Sequence, residues 1–302
     1  MTSFYHLTLA DGNEWNLTAD SQTEDWLRNF AEICHLKPSD QRIVTTIVFT
    51  RGSLCQRDSA EIFTPYLNRI RAEILNGEWF SVEQRMFRIW SKPCSNDLVI
   101  DIGSGGDSEM ETLRMWQALL PIYETSLASG AITLHGALIE KGGKAFALAG
   151  PGNVGKSTCA RRLQPPWRAL CDDEILVVKG VDGLYYAHPF PTWSDYLWRK
   201  SSNTWQIEQY FPLSAIFFIM KGEEDCADRL GTGQAAVLIQ QSSEQVFEKG
   251  WHFLHKSKVV PRRIMLFCNI TKLIKQVPAY TLKVNLNGRF WEEIERASNG
   301  SK

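Results

Sequence analysis

What this chain lacks narrows it first. Its 302 residues contain no apolar run that reaches the ~18 needed to suggest a membrane span. The opening stretch MTSFYHLTLADGNEW has no basic region followed by an apolar one, so no secretory signal is expected. The seven cysteines are Cys34, Cys55, Cys94, Cys159, Cys171, Cys226 and Cys268. Their number is odd and no pair has CxxC spacing, which argues against a zinc finger or a disulfide framework and fits a reducing, cytoplasmic setting. Most of these thiols are expected to be buried small hydrophobes. An excess of one charge is missing too. Lys and Arg number 33 against 34 Asp and Glu, a net charge of −1, so neither a nucleic-acid partner nor a polybasic membrane contact is expected. Internal repeats and low-complexity tracts are absent as well.

What is present looks like an ordinary globular protein, with 44% hydrophobic and 22% charged residues. The length is comfortable for two cores, and the pattern divides into two regions, 1–127 and 128–302. In the first, FYHLTLADGNEWNLTA alternates around Asp11-Gly12 and predicts a hairpin. TEDWLRNFAEICHL places Trp26, Phe30 and Ile33 on one helical face. Strands are expected at 43–50, 81–90 and 98–103, followed by one helix through METLRMWQALLPIYETSLAS. This smaller α+β region carries no catalytic constellation; it is read as a packing domain or a partner- or peptide-binding one.

The second region opens with AITLHGALIEK and KAFALAG, two strand patterns joined at Gly142-Gly143. A helix from Ser157 to about Leu163 follows a glycine-rich loop and is stopped by Pro165-Pro166. RALCDDEILVV reads as one strand, paired with GLYYAHPF across Val181-Asp182-Gly183. LSAIFFIM is a buried strand. AAVLIQQSSEQVFEKGWHFL and PRRIMLFCNITKLIKQV are helices, YTLKVNL is a late strand and RFWEEIERAS a terminal helix. Strands and helices alternate, so the class is α/β.

The glycine-rich loop is AGPGNVGKST, Ala149 to Thr158. Gly150, four residues, then Gly155, Lys156 and Ser157 satisfy the spacing of a phosphate loop. The glycines let the backbone turn inward without a Cβ in the way, and successive N–H groups converge into an anion nest. The helix after the loop points its positive end at the same place. Gly150, Gly152, Asn153, Val154, Gly155, Lys156, Ser157 and Thr158 are therefore the expected nucleotide-binding residues. Lys156 would reach the β- and γ-phosphates, and Ser157 would hold Mg2+ through its hydroxyl. The loop alone does not choose a chemistry. A base-reading NKxD stretch, which a switch GTPase would need, is not found, nor is the signature motif of a transport ATPase.

Asp172-Asp173 follow Lys156 by 16 residues, a distance that lets a short helix and a returning strand bring them back to the loop. Two adjacent carboxylates can divide the work, one beside Mg2+ and the other accepting a proton from an attacking hydroxyl. The plain alternative is a turn or cap pair. His135, on the strand before KAFALAG, could neutralise charge near the transferred group or position a carboxylate; a lone strand histidine is more often structural. HPFPTWSDYLWRK is dense in aromatics and reads first as packing, second as a contact loop with His188 and Arg199 as its polar members. Of Arg161 and Arg162, one should face solvent, since neighbours on a helix point ~100° apart. Thr232 is expected to cap a helix.

HG at 135–136, GPGNVGKS at 150–157 and DD at 172–173 resemble the HPr kinase/phosphorylase group of P-loop kinases, which shares its core with the ATP-dependent phosphoenolpyruvate carboxykinases. By motif the resemblance covers about 131–180, and by general plan 131–302. More closely, LADGNEW, STCARRLQPPWRALCDDE, HPFPTWSDYLWR, GQAAV and GRFWEEIERA resemble the SynChlorMet cassette protein ScmC family, whose genes accompany radical SAM and PqqD-like proteins in presumed peptide-modification cassettes. The resemblance implies a P-loop kinase core with a mixed sheet, and Lys156 and Ser157 as the loop pair. It further implies Asp172 as catalytic base, Asp173 near Mg2+, and His135 as the family's histidine. The group's metal-binding Glu next to Arg, in a Gly-rich stretch, has no equivalent. HPFPTWSDYLWR stands in that place, with Asp195 as a weak substitute, and this departure weighs against HPr-like substrates and phosphorylase activity.

The expectation is an ATP- and Mg2+-dependent kinase acting on a serine-like hydroxyl of a peptide or peptide-derived substrate. A small-molecule kinase, or a non-catalytic nucleotide-gated module that binds a precursor peptide, are the alternatives. Expected partners are a precursor peptide or other cassette proteins, and analogy leaves a homo-oligomer open.

Overall fold

The computed structural model describes residues 4–39, 45–52, 54, 56, 63–84, 86–199, 202–252, 254 and 256–299, the side chains of 199 and 249 excepted. Two mixed sheets, each with helices, make up the fold. The first begins with the hairpin β1 (Phe4–Thr8) and β2 (Glu14–Ala19), then helix α1 (Glu24–Ile33), β3 (Lys37–Ser39) and β4 (Thr46–Thr50). α2 (Pro65–Leu75) follows, its Thr64 side chain capping Leu67 N–H. β5 (Phe80–Glu83), β6 (Arg88–Ser91) and β7 (Leu98–Asp101) complete a seven-stranded sheet in the order β3-β1-β2-β4-β7-β6-β5. The single strand expected at 81–90 is thus a hairpin, closed where Gln84 N–H meets Phe87 O at 2.8 Å.

Two helices connect the sheets, α3 (Ser108–Gln117) and α4 (Leu120–Ala128). One helix was expected here. Pro121 sits in the first turn of α4, where its missing N–H costs nothing, and the chain breaks before it. Asp107 caps α3 by accepting from Met110 N–H, with Glu109 and Glu111 in the first turn.

The second sheet is built from β8 (Ile132–Lys141), β9 (Lys144–Ala149), β10 (Arg168–Cys171), β11 (Glu174–Lys179), β12 (Tyr185–Pro189), β13 (Phe211–Lys221), β14 (Cys226–Arg229) and β15 (Ala279–Val284). Its helices are α5 (Lys156–Arg162), α6 (Trp193–Arg199), α7 (Thr232–Trp251), α8 (Lys256–Leu273) and α9 (Phe290–Asn299). The hairpin β8–β9 and the β11–β12 pair form as the sequence predicts. β8 is the strand on which the sheet turns. One edge pairs with β9; along the other run β10 at its far end and β11 at its start. β9 also pairs with β13, and β13 with β12, so the ladder β8-β11-β12-β13-β9 closes on itself.

The closure is tight at Gly136. A Cβ there would stand 2.6 Å from Leu148 O, so only glycine lets β8 pass β9. A core of Phe146, Leu148, Phe217, Tyr280, Phe290 and Trp291 packs α5 and α9 on one face of this sheet. On the other face one continuous core runs into the first sheet. Phe30 of α1 stacks on Trp193 of α6, with centroids 6.5 Å apart and planes at 13°. Burying each such ring stabilises the fold by about 1.5–3 kcal/mol. Among the described residues no helix is long and apolar enough to cross a membrane.

Candidate functional site

β9 ends at Ala149 and α5 starts at Lys156, so the six residues between them form the strand–loop–helix unit that the spacing requires. Three of its residues have left-handed backbone: Gly150 at φ 144°, Asn153 at 62° and Gly155 at 112°. Gly150's backbone favours glycine, and a side chain there would also crowd Val154 Cγ1 at 3.2 Å. Lys156 is buried and curls back over the loop. Its ammonium donates to Gly150 O and Pro151 O, both at 2.9 Å. Burial lowers its pKa, against the opposing charges of Asp172 and Asp173.

The two aspartates lie between β10 and β11, in the stretch expected as one strand. β8 pairs with both sides of the break, Leu138 opposite Cys171 and His135 opposite Glu174, so the pair stands beside Gly136 and Ala137. Gly136 N–H donates to Asp173 O at 3.0 Å. The Ser157 side chain lies close enough to the Asp172 carboxylate to favour its charged form. Burial pushes Asp172 up to about 6, against Ser157, which lowers it; Asp173 adds to the rise, and Arg161 and Lys156 oppose it. Asp172 Oδ1 is buried with no hydrogen-bond partner. Lys156, Ser157, Asp172 and Asp173 thus meet at one corner. His135 adjoins it, half-buried one residue before Gly136, with Ser242 of α7 clamping its backbone N–H at 3.1 Å and C=O at 3.2 Å.

Three supporting residues escaped the sequence reading. Thr192 Oγ1 accepts from Asp172 N–H, and Ser194 N–H donates to Asp173 Oδ2, both at 3.0 Å. They enclose Trp193, the first residue of α6, and a Thr-x-Ser straddling a helix start was the available signal. Glu174 is only 2% exposed and accepts from Trp116 Nε1 at 2.7 Å and Tyr123 OH at 2.8 Å. Burial, then Glu174, drives the Tyr123 hydroxyl pKa well above its usual value.

Other candidates separate from the corner. His188 is fully buried, its ring nitrogens engaged by Ala10 N–H and Ile207 O, which is a packing role. Asp195 lies in the first turn of α6, one residue past Ser194. The Arg199 side chain lies outside the described residues. Arg161 faces solvent, while Arg162 turns inward to Asn285 O and Gly288 O. The cap of α7 is Gly231, not Thr232, which is already the first helical residue.

Among the described residues no three His, Cys, Asp or Glu side chains cluster to hold a metal by themselves. The corner offers two carboxylates and a hydroxyl. That donor set suits Mg2+, which takes one or two carboxylates and completes its shell with phosphate and water.

The family model for the SynChlorMet cassette protein ScmC matches residues 98–299, two thirds of the chain, and the chain belongs to that family. A search of curated proteins finds no match.

Proposed function

Taking an ScmC-family chain whose glycine-rich loop meets a carboxylate pair, we propose an ATP-dependent kinase with an HPr kinase-type P-loop core. It transfers the γ-phosphate to a serine-like hydroxyl of a peptide or peptide-derived substrate. The observation that carries this reading is the corner itself: Lys156, buried over the glycine-rich loop, within electrostatic reach of Asp172 and Asp173, with Ser157 beside Asp172. A turn that merely capped a helix would have no use for a buried ammonium facing two carboxylates.

In this reading the N–H groups from Gly152 to Thr158 hold the phosphates. Lys156 exchanges the Gly150 and Pro151 carbonyls for phosphate oxygens. Ser157 and Asp173 would hold Mg2+, which would neutralise charge on the phosphate oxygens; the buried Asp172 Oδ1, without a hydrogen-bond partner, supports spare acceptor capacity at this corner. Asp172 takes the proton of the acceptor hydroxyl as the new oxygen–phosphorus bond forms and the bond to the β-phosphate oxygen breaks, releasing ADP. His135 steadies the developing charge from the end of β8. Positioning and charge stabilisation supply most of the rate in such transfers. The cassette's precursor peptide is the expected acceptor.

The test is transfer of radiolabelled γ-phosphate to the cassette's peptide, compared between wild type and Asp172→Asn. The variant should bind ATP nearly as wild type does and lose about 10²–10⁴-fold in transfer. Full transfer by the variant would remove Asp172 as base. ATP binding by wild type without turnover, even with peptide, would favour a nucleotide-gated binding module.

A further inference from the structure

A groove of about 430 Å³ opens beside the loop, within the ~300–1,000 Å³ of small-molecule sites. It lies on a different face of α5 from the aspartates. Thr158 and Arg162, one turn apart, line it; Ser157 and Arg161, about 100° round the helix, are the residues that act on Asp172. The loop therefore has two flanks, one polar and catalytic, the other this groove.

Its far wall is apolar and exposed. Met220, at the end of β13, is 48% exposed, and Leu286, just past β15, is 71% exposed. Large apolar groups left in water beside a concavity mark a binding surface. The turn carrying Leu286 is held in place from two sides. Arg162, from the loop's own helix, donates to Asn285 O at 3.0 Å and to Gly288 O. From the opposite side Asp225 Oδ1 accepts from Asn285 N–H at 2.7 Å. Gly288 passes so close that a Cβ would lie 2.0 Å from Asp225 Oδ2. A turn fixed this firmly has little reason to present a leucine to solvent unless something flat and apolar rests on it. Asn153, Thr158, Arg162 and Lys221 supply its polar side chains.

We infer that this groove takes the nucleoside end of the nucleoside triphosphate, its base against Met220, Val284 and Leu286 and its phosphates running into the 150–155 loop. This rests on the phosphate-loop reading above. Arg162 then ties the base-binding wall to the phosphate-binding helix, so both ends of the ligand are held by one rigid unit.

Calorimetric titration of the full-length protein with ATP and with inorganic tripolyphosphate, both with Mg2+, separates the two claims. Leu286→Asn and Met220→Gln are neutral replacements of exposed side chains, so folding and phosphate electrostatics should hold. Wild type should prefer ATP over tripolyphosphate by about tenfold or more. Both variants should lose most of that preference while binding tripolyphosphate within about twofold of wild type. Equal affinity of wild type for the two ligands, or variants that keep the preference, would overturn the groove assignment and leave the loop standing. Wild type that binds neither, or Lys156→Ala that binds both as wild type does, would overturn the loop reading and the groove with it.

Discussion

His188 makes a sharp prediction, because its chemistry fixes one protonation state. Its Nε2 accepts from the backbone N–H of Ala10 at 3.1 Å, so that nitrogen carries no proton. Nδ1 therefore carries it and donates to Ile207 O at 2.8 Å. The ring is 0% exposed, with the Tyr210 ring 5.2 Å away. Protonating Nε2 would break the Ala10 bond and leave a buried cation. Burial accordingly lowers the pKa from 6.5 to about 4, against the Ile207 bond that raises it. The sign follows. Unfolded chains take up the proton first, so the stabilisation is complete above about pH 6.5 and is lost as the pH falls towards 4. At pH 5 the loss is about 2 kcal/mol, and in full about 3 kcal/mol. Other carboxylates titrate nearby in pH, so the measurement is a difference. Urea unfolding of wild type and His188→Gln, each at about pH 7.5 and 5, should show the gap between them shrinking by about 2 kcal/mol. A gap that stays constant within about 0.5 kcal/mol would refute the reasoning.

Two further outcomes follow from packing. Gly136→Ala places a Cβ 2.6 Å from a backbone oxygen of β9, so the strand must move; we expect a cost of about 1–3 kcal/mol in urea unfolding and weakened ATP binding, since β9 leads straight into Gly150. Trp193→Ala removes a fully buried ring from the stack on Phe30 and should cost about 3–5 kcal/mol in the same assay.

Much of the site was legible because it is local. The turn at Gly142-Gly143, the strand into Gly150 and the helix after Gly155 each declare themselves within a dozen residues, and the structure has them at 144–149 and 156–162. What was not legible depends on partners far away in sequence. RALCDDEILVV has an unbroken strand pattern, and nothing in it says that the ladder opens at Asp172-Asp173. The opening lies beside Gly136, whose N–H bonds Asp173 O and where β8 passes β9 too closely for any side chain. The short β14 was missed because CADR has no apolar alternation; it pairs with β15 as an edge strand, where alternation is not demanded. α6 was hidden by its aromatics. They look like generic packing until Thr192 and Ser194 are seen bonding the aspartates.

Those bonds bear on the first region. From its sequence alone it carried no chemistry, yet it reaches the aspartates in two steps. Phe30 stacks on Trp193, whose neighbours Thr192 and Ser194 hold Asp172 N–H and Asp173 Oδ2. Trp205 N–H bonds Ile33 O at 2.8 Å, and Thr8 N–H bonds Glu208 Oε1 at 2.9 Å, so the segment after α6 is tied to the first sheet as well. On the other side Trp116 and Tyr123, from the connecting helices, converge on Glu174, the residue that follows the pair. The aspartates are thus held by β8 at Gly136 and by the start of α6, which itself packs on the first region. The first region packs, through Phe30, against the helix start that bonds the aspartates.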